Sequence, residues 1–259
     1  MCRLAAYLGP EIPLDSFLLA PSHSLVEQAW NPQELVYAKL NADGFGVGWY
    51  ADDDAPAVYT STTPIWSDTN LPHLARSLNK GLWLANVRSA TQGMTVNQAN
   101  TQPFYDDNLL FLHNGFMRDF QVTLRPVLHE FLASEIQSGI AGNTDSEYLF
   151  AIIRQLLNSD SEISIDDAIV ETFRLVEEWL DDIPALLNVV MSDGQYIYAA
   201  RHAINEACPS LYYTTEDDNF PNGQLIASER LNDSDSWQEV QKHHILILDA
   251  QDSPELIAL

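Results

Sequence analysis

The chain begins MCRLAAYLG, which puts a thiol one residue behind the initiator methionine. Methionine removal succeeds when the next residue is small, and processing would leave Cys2 as the first residue. Its thiol and its own α-amine would then share one carbon skeleton. A free α-amine has a reference pKa of about 7.7–8.0 and a free thiol about 8.5, so one nearby base suffices to form a thiolate near neutral pH. A terminal amine acting as base for a side-chain nucleophile is an established arrangement for acyl transfer. The plainer reading is a small apolar residue packed at a strand start, the common fate of buried cysteine.

Four further stretches carry groups that would complete such a site. In LANVRSATQG, Arg88 ends an apolar strand, where a guanidinium must reach an anion or solvent. Its planar fork matches a substrate carboxylate, or one of the chain's own 37 acidic side chains. In NLLFLHNG an apolar strand delivers Asn114 and Gly115. Asn-Gly is a hairpin signal, yet the following GFMRDFQVTLRPVL reads as helical. The carboxamide and the glycine N–H, delivered where the backbone is expected to turn, either form an ordinary hairpin turn or converge on one oxygen as an oxyanion hole. In GNTDSEYLF, Thr144-x-x-Glu147 fits a capping box, and Asp145 on the first helical turn either serves the helix dipole or grips an ammonium group. In NADGFGVGWY, Gly44, Gly46 and Gly48 lack the Lys and helix start of a phosphate loop. They read as places of close backbone approach. Together these groups suit a substrate with an α-amino-acid head and a reactive carbonyl further along, the shape of a γ-glutamyl amide.

The elements that must position them follow from periodicity. CRLAAYLG, FGVGWY, PAVYTS, GLWLANVR and NLLFLHNG read as strands, as do ALLNVVMSDGQYIYAAR, PSLYYTT, GQLIAS and HHILILDA later in the chain. Between them VTLRPVLHEFLASEIQ, TDSEYLFAIIRQLLN and IDDAIVETFRLVEEWLDD repeat apolar residues at helical spacing. Asp193-Gly194 sits between two alternating runs and predicts a hairpin with a tight primed turn. The order strands, helices, strands predicts an α+β chain of layered sheets with helices outside, in one domain.

These features resemble the class II glutamine amidotransferases, which are N-terminal-nucleophile hydrolases. The likeness rests on Cys2, the Arg-x-Ala-Thr of RSAT, the Asn-Gly of LHNG and the T-D-S-E stretch, in the family's order over residues 2 to about 150. It implies a four-layer αββα sandwich of two mainly antiparallel sheets and one amidotransferase-type domain over 2–259. It also implies Cys2 as nucleophile, Asn114 and Gly115 as oxyanion hole, Arg88 as α-carboxylate ligand and Asp145 as α-amine ligand. IASERLNDSDSWQEV is similar to the Ser-Glu-x-Leu…Trp segment of small stand-alone members. That group includes the amidohydrolase of ergothioneine biosynthesis, which cleaves a γ-glutamyl group from a hercynylcysteine sulfoxide conjugate. One departure is Asn86, where many amidotransferases carry His.

The expected activity is hydrolysis of a γ-glutamyl amide through a Cys2 thioester. Two alternatives stand beside it: a glutaminase that hands ammonia to a separate synthase, and a non-catalytic binding protein. A choloylglycine-type hydrolase also begins at Cys2, but the LHNG and TDSE pair fits it poorly. Twelve basic against 37 acidic residues give a net charge of −25, which repels phosphate backbones and anionic headgroups. The expected partner is thus a small γ-glutamyl molecule, with neither nucleic acid nor membrane, and a homo-oligomer is compatible with the sequence. Two cysteines without a CxxC motif, and no signal-peptide pattern, suit a reducing cytoplasm. Cys208, before Pro209, has no acid–base neighbour in sequence and reads as packing. The seven histidines are scattered, and His243-His244 would point to opposite faces of a strand. Neither metal nor cofactor is expected.

Overall fold

The computed structural model describes residues 2–34, 40–90 and 95–259. Met1, Lys39 and Thr91 of the RSAT stretch lie outside them. Strand β1 (Arg3–Pro13) leads into the short helices α1 (Leu14–Leu18) and α2 (Leu25–Trp30). Next come β2 (Phe45–Tyr50), β3 (Pro56–Ser61), α3 (Leu71–Ala75) and β4 (Asn79–Val87). β5 (Phe104–Tyr105) and β6 (Leu110–Met117) precede the helical middle of α4 (Leu124–Phe131), α5 (Ser134–Ser138), α6 (Asp145–Ser159) and α7 (Ile165–Leu180). Strands then return as β7 (Ala185–Ser192), β8 (Tyr196–Arg201), β9 (Ala203–Ile204) and β10 (Tyr212–Thr214). β11 (Gln224–Ala227), β12 (Gln238–Glu239), β13 (His244–Asp249) and β14 (Glu255–Ala258) complete the chain.

Among the described residues these strands form two antiparallel sheets. One runs β12-β10-β11-β1-β4-β2-β3; the other runs β14-β13-β8-β7-β6-β5, with β9 beside β7. The alternation of side chains along each strand decides the layers. Leu4, Ala6 and Leu8 of β1 and Leu82 and Leu84 of β4 face Leu110, Leu112, Val190, Ile197 and Ala199 of the second sheet. Their neighbours Ala5, Tyr7, Trp83 and Ala85 turn outward beneath Leu14, Phe17, Leu25 and Leu71 of α1–α3. The outer face of the second sheet packs Phe111, Leu187, Val189 and Met191 against Leu149, Ile152, Ile169, Phe173 and Val176 of α6 and α7. The result is the expected four-layer αββα sandwich. Each fully buried side chain of this size contributes about 1.5–3 kcal/mol.

Several local expectations are corrected. Asn114-Gly115 makes no turn: β6 runs through it, paired with β7 from Leu110↔Ser192 to Met117↔Ala185, and neither residue has positive φ. Eight cross-strand pairs outweigh the local turn preference, and the helix starts only at Leu124. VTLRPVLHEFLASEIQ divides into α4 and α5, because Leu132 and Ala133 are extended. The Asp193-Gly194 hairpin forms, but only Gly194 has positive φ (94°), so the turn is not of the doubly left-handed kind. Thr144 Oγ1 caps α6 by accepting from Glu147 N at 3.2 Å, whereas the Glu147 carboxylate accepts from Ala141 N and Gly142 N. The capping box is therefore one-sided. His243 has φ 58° and precedes β13, so it does not share a strand with His244. No helix among the described residues is long and apolar enough to cross a membrane.

Candidate active site

The inner-face alternation continues past the apolar layer and delivers polar residues at one end of it. Cys2 follows the parity of Leu4, Asn86 and Arg88 that of Leu82 and Leu84, Asn114 that of Leu112, and Asn188 that of Val190. Cys2 Sγ lies 3.9 Å from Ser89 O, beside Arg88. The Cys2 carbonyl accepts from Arg3 Nε at 2.7 Å and from Asn114 Nδ2. Nδ2 carries a second N–H, so holding Cys2 leaves one donor available for another acceptor.

Arg88 is 4% exposed, and no carboxylate forms an ion pair with it among the described residues. Its guanidinium makes two long bonds, Nη1 to Asp43 O at 3.4 Å and Nη2 to Thr95 O at 3.5 Å. Burial lowers its pKa from the ordinary arginine value, against the attraction of Cys2, Asp43 and Asp145. The backbone beneath it is fixed by NADG. Arg88 N donates to Gly44 O at 2.8 Å, Asp43 N donates to Arg88 O at 3.0 Å, and Asp43 Oδ2 accepts from Ala90 N at 2.8 Å. Gly44 sits at φ 119°, where a side chain would be strained. Gly46 and Gly48 serve close approach, as expected: a Cβ on them would meet Gln102 O and Leu110 respectively.

On β6, alternate N–H groups leave the same side of the strand. His113 N donates to Gln102 Oε1 at 2.6 Å and Met117 N to Asp145 Oδ2 at 2.8 Å. Gly115 N lies between them and points to that same edge, away from β7. A Cβ on Gly115 would run into Leu186 O and the His113 ring, so the residue is fixed by packing rather than by a turn. Asp145 opens α6 and is itself buried. Its Oδ1 accepts from Ser146 N at 2.8 Å, while Ser146 Oγ lies 2.8 Å from His113 Nδ1. His113 Nε2 faces Leu186 O at 2.9 Å, and a carbonyl only accepts, so Nε2 donates and Nδ1 takes the serine proton. Burial lowers the His113 pKa and keeps the ring neutral, against the pull of Asp145.

All five residues singled out in the sequence thus meet around one end of the inter-sheet layer. Sequence reasoning missed Asp43 of NADG, and the His113–Ser146 link that joins β6 to α6. It also missed the partner of Cys208, whose Sγ lies 3.8 Å from His243 Nε2 across 35 residues. Asn86, the departure from the family pattern, is buried, and neither of its amide atoms has a hydrogen-bond partner among the described residues.

Two facing antiparallel sheets between helical layers, with a cysteine leading the central strand, define an N-terminal-nucleophile hydrolase fold. A structure from Silicibacter pomeroyi, described as a glutamine aminotransferase class-II domain protein, superimposes with a TM-score of 0.71 at 26% identity, covering 100% of both chains. Residues 30–220 match the family model of class-II glutamine amidotransferases, and the chain belongs to that family. Among its relatives, the probable glutamine amidotransferase DUG3 of Saccharomyces cerevisiae is 27% identical over 97% of this chain and 82% of its own. The γ-glutamyl-hercynylcysteine sulfoxide hydrolase of Mycobacterium tuberculosis is 30% identical over 95% of this chain and 92% of its own.

Proposed function

We propose that the protein is a cytoplasmic γ-glutamyl amidohydrolase working through a Cys2 thioester. Its substrate in this reading is γ-glutamyl-hercynylcysteine sulfoxide, as in the mycobacterial relative's name, cleaved during ergothioneine biosynthesis. The observation that carries it is the buried Arg88 guanidinium beside Cys2, with no ion-pair partner among the described residues: a cation so kept out of water is prepared for a carboxylate that arrives with a ligand. Asp145 then receives the α-ammonium, and the γ-carbonyl reaches the sulfur.

With Met1 removed, the Cys2 α-amine takes the thiol proton as Sγ attacks the γ-carbon. The oxyanion accepts from the second Asn114 N–H and from Gly115 N. Its collapse breaks the C–N bond, and the terminal ammonium returns the proton to the departing amine. Water attacks the thioester, the same amine accepts the water proton, and glutamate leaves with the thiol restored.

The test is a panel with the γ-glutamyl head fixed and the amine varied, run on protein whose N-terminus is read by mass spectrometry. Turnover of γ-glutamyl amides with release of glutamate is expected, and Asn114→Ala should lower kcat by about 10²–10³. Full activity with Met1 retained would exclude the amine as base. The name of the yeast relative favours a second reading, a glutaminase feeding a separate synthase. Strict preference for free glutamine, stimulated by a synthase, would establish it instead.

A further inference from the structure

We infer that Glu229 and Arg3 are positioning residues that hold the Cys2 nucleophile in register. The inference rests on the reading of Cys2 as nucleophile. In that reading Cys2 stands at a strand end, and strand ends fray unless tied down. It also lies beyond both neighbouring ladders, whose last pairs are Arg3↔Val87 and Ala5↔Ala227. What ties it are side chains on its carbonyl: Asn114 Nδ2 and Arg3 Nε, the latter at 2.7 Å.

Arg3 is wholly buried, and its Nη1 donates to Glu229 Oε1 at 3.0 Å. Glu229 is 1% exposed and lies within 3.0 Å of four nitrogens: Arg3 Nη1, His23 Nε2, Gln33 N and Glu34 N. Burial works against its ionised form, but the His23 bond, the two backbone N–H groups and the Arg3 charge together hold its pKa below the ordinary value. The preceding residue grips the same strand, since Ser228 N donates to Leu4 O and Leu4 N donates to Ser228 Oγ, both at 3.0 Å. The Ser-Glu of IASERL is thus a clamp on residues 3 and 4, and Arg3 passes that clamp to the Cys2 carbonyl.

Stability alone does not account for the pair. Replacing a buried ion pair by apolar groups is often neutral, and the bonds of Glu229 to His23, Gln33 N and Glu34 N do not need Arg3. What apolar residues cannot supply is a fixed donor on the Cys2 carbonyl, and a displacement of about 1 Å at a reacting atom can cost about 10²-fold in rate.

The test compares Glu229→Gln with the double variant Arg3→Met/Glu229→Gln, which removes both charges together and keeps an amide oxygen as acceptor beside Gln33 N and Glu34 N. Steady-state kinetics on a γ-glutamyl amide are paired with alkylation of Cys2 by iodoacetamide. Alkylation is read on the N-terminal peptide with Cys208 as internal reference. Expected are a kcat at least 10-fold lower with KM within twofold, a double variant that stays folded at the assay temperature, and Cys2 alkylation slowed at least threefold. A folded double variant with kcat and Cys2 alkylation unchanged would overturn the inference, as would a rise in KM alone. If the unaltered protein cleaves no γ-glutamyl amide, the proposed function fails, and the alkylation difference by itself decides the positioning role.

Discussion

Replacing Arg88 by Met is expected to leave the ligand-free protein at least as stable as before while removing its response to glutamate. The guanidinium's protein contacts at 3.4 and 3.5 Å lie at the outer limit of hydrogen bonding, so little is lost with them. The carboxylates near it keep their own donors: Ala90 N for Asp43, and Met117 N and Ser146 N for Asp145. A buried ion carries a desolvation penalty of several kcal/mol even after relaxation, and Met at this position does not carry it. At about 2–4 °C per kcal/mol for a chain near this size, an increase of about 1–2 kcal/mol raises the midpoint by about 2–8 °C. Ligand supplies the opposite sign. Glutamate at 100 times its Kd stabilises a protein by about 2.7 kcal/mol. Losing two charge-assisted bonds of about 1.5–3 kcal/mol each removes that effect. Differential scanning calorimetry with and without L-glutamate measures both quantities. A midpoint more than about 4 °C lower in Arg88→Met would show the guanidinium to be a structural partner. Equal stabilisation of both proteins by glutamate would show that it does not read the carboxylate.

Gly115→Ala places a Cβ against Leu186 O and 2.5 Å from His113 Nε2, so β6 must shift from β7. Overpacking of this kind costs about 1–3 kcal/mol, and calorimetry should show a lower midpoint together with lost turnover; an unchanged midpoint would contradict the packing. The pH dependence has a defined sign at His202, whose pKa is depressed to about 4, first by burial and then by His243. Its folded value lies below the reference of about 6.5, so the unfolded chain binds this proton more readily. The stability it contributes is therefore full above about pH 6.5 and lost as pH falls toward about 4. His202→Gln should flatten the midpoint-against-pH curve in that window, and an unchanged slope would refute the assignment.

The architecture was legible because it follows from periodicity that tertiary contacts reinforce. The apolar alternation of β1, β4 and β6 and the helical spacing of α6 and α7 survive intact, since burial rewards the residues that already carry the pattern. Errors fell where local chemistry was asked to settle a question that a neighbouring strand decides. Asn114-Gly115 has turn chemistry, but β7 supplies a continuous partner and the glycine is required by the Leu186 carbonyl. Leu132-Ala133 carries no breaker, yet the chain leaves the helix there, and Ala133 N is met by Gln155 Oε1 at 2.7 Å. Contacts across long separations, Arg3 with Glu229 and Cys208 with His243, leave no local trace, because side chains more than 30 residues apart share no period.

The site and the core come from one device. Strands whose inner faces are apolar through Leu4, Leu84, Leu112 and Val190 change to Cys2, Asn86, Asn114 and Asn188 two residues further toward the same end of the layer. Parity therefore aims Cys2, Asn86, Asn114 and Asn188 at one end of the layer, while the NADG loop fixes the backbone of Arg88 just past β4. The cost is visible in the same place: Asn86, Asn114 and Asn188 each bury an amide oxygen with no donor among the described residues. An unmet buried polar atom costs about 1–3 kcal/mol, so this end of the layer is less stable than an apolar continuation would be. Stability given up at one end of an otherwise apolar core, beside a cysteine and a guanidinium with no ion-pair partner among the described residues, is what the proposed reading of this end as a binding site for a small polar molecule predicts.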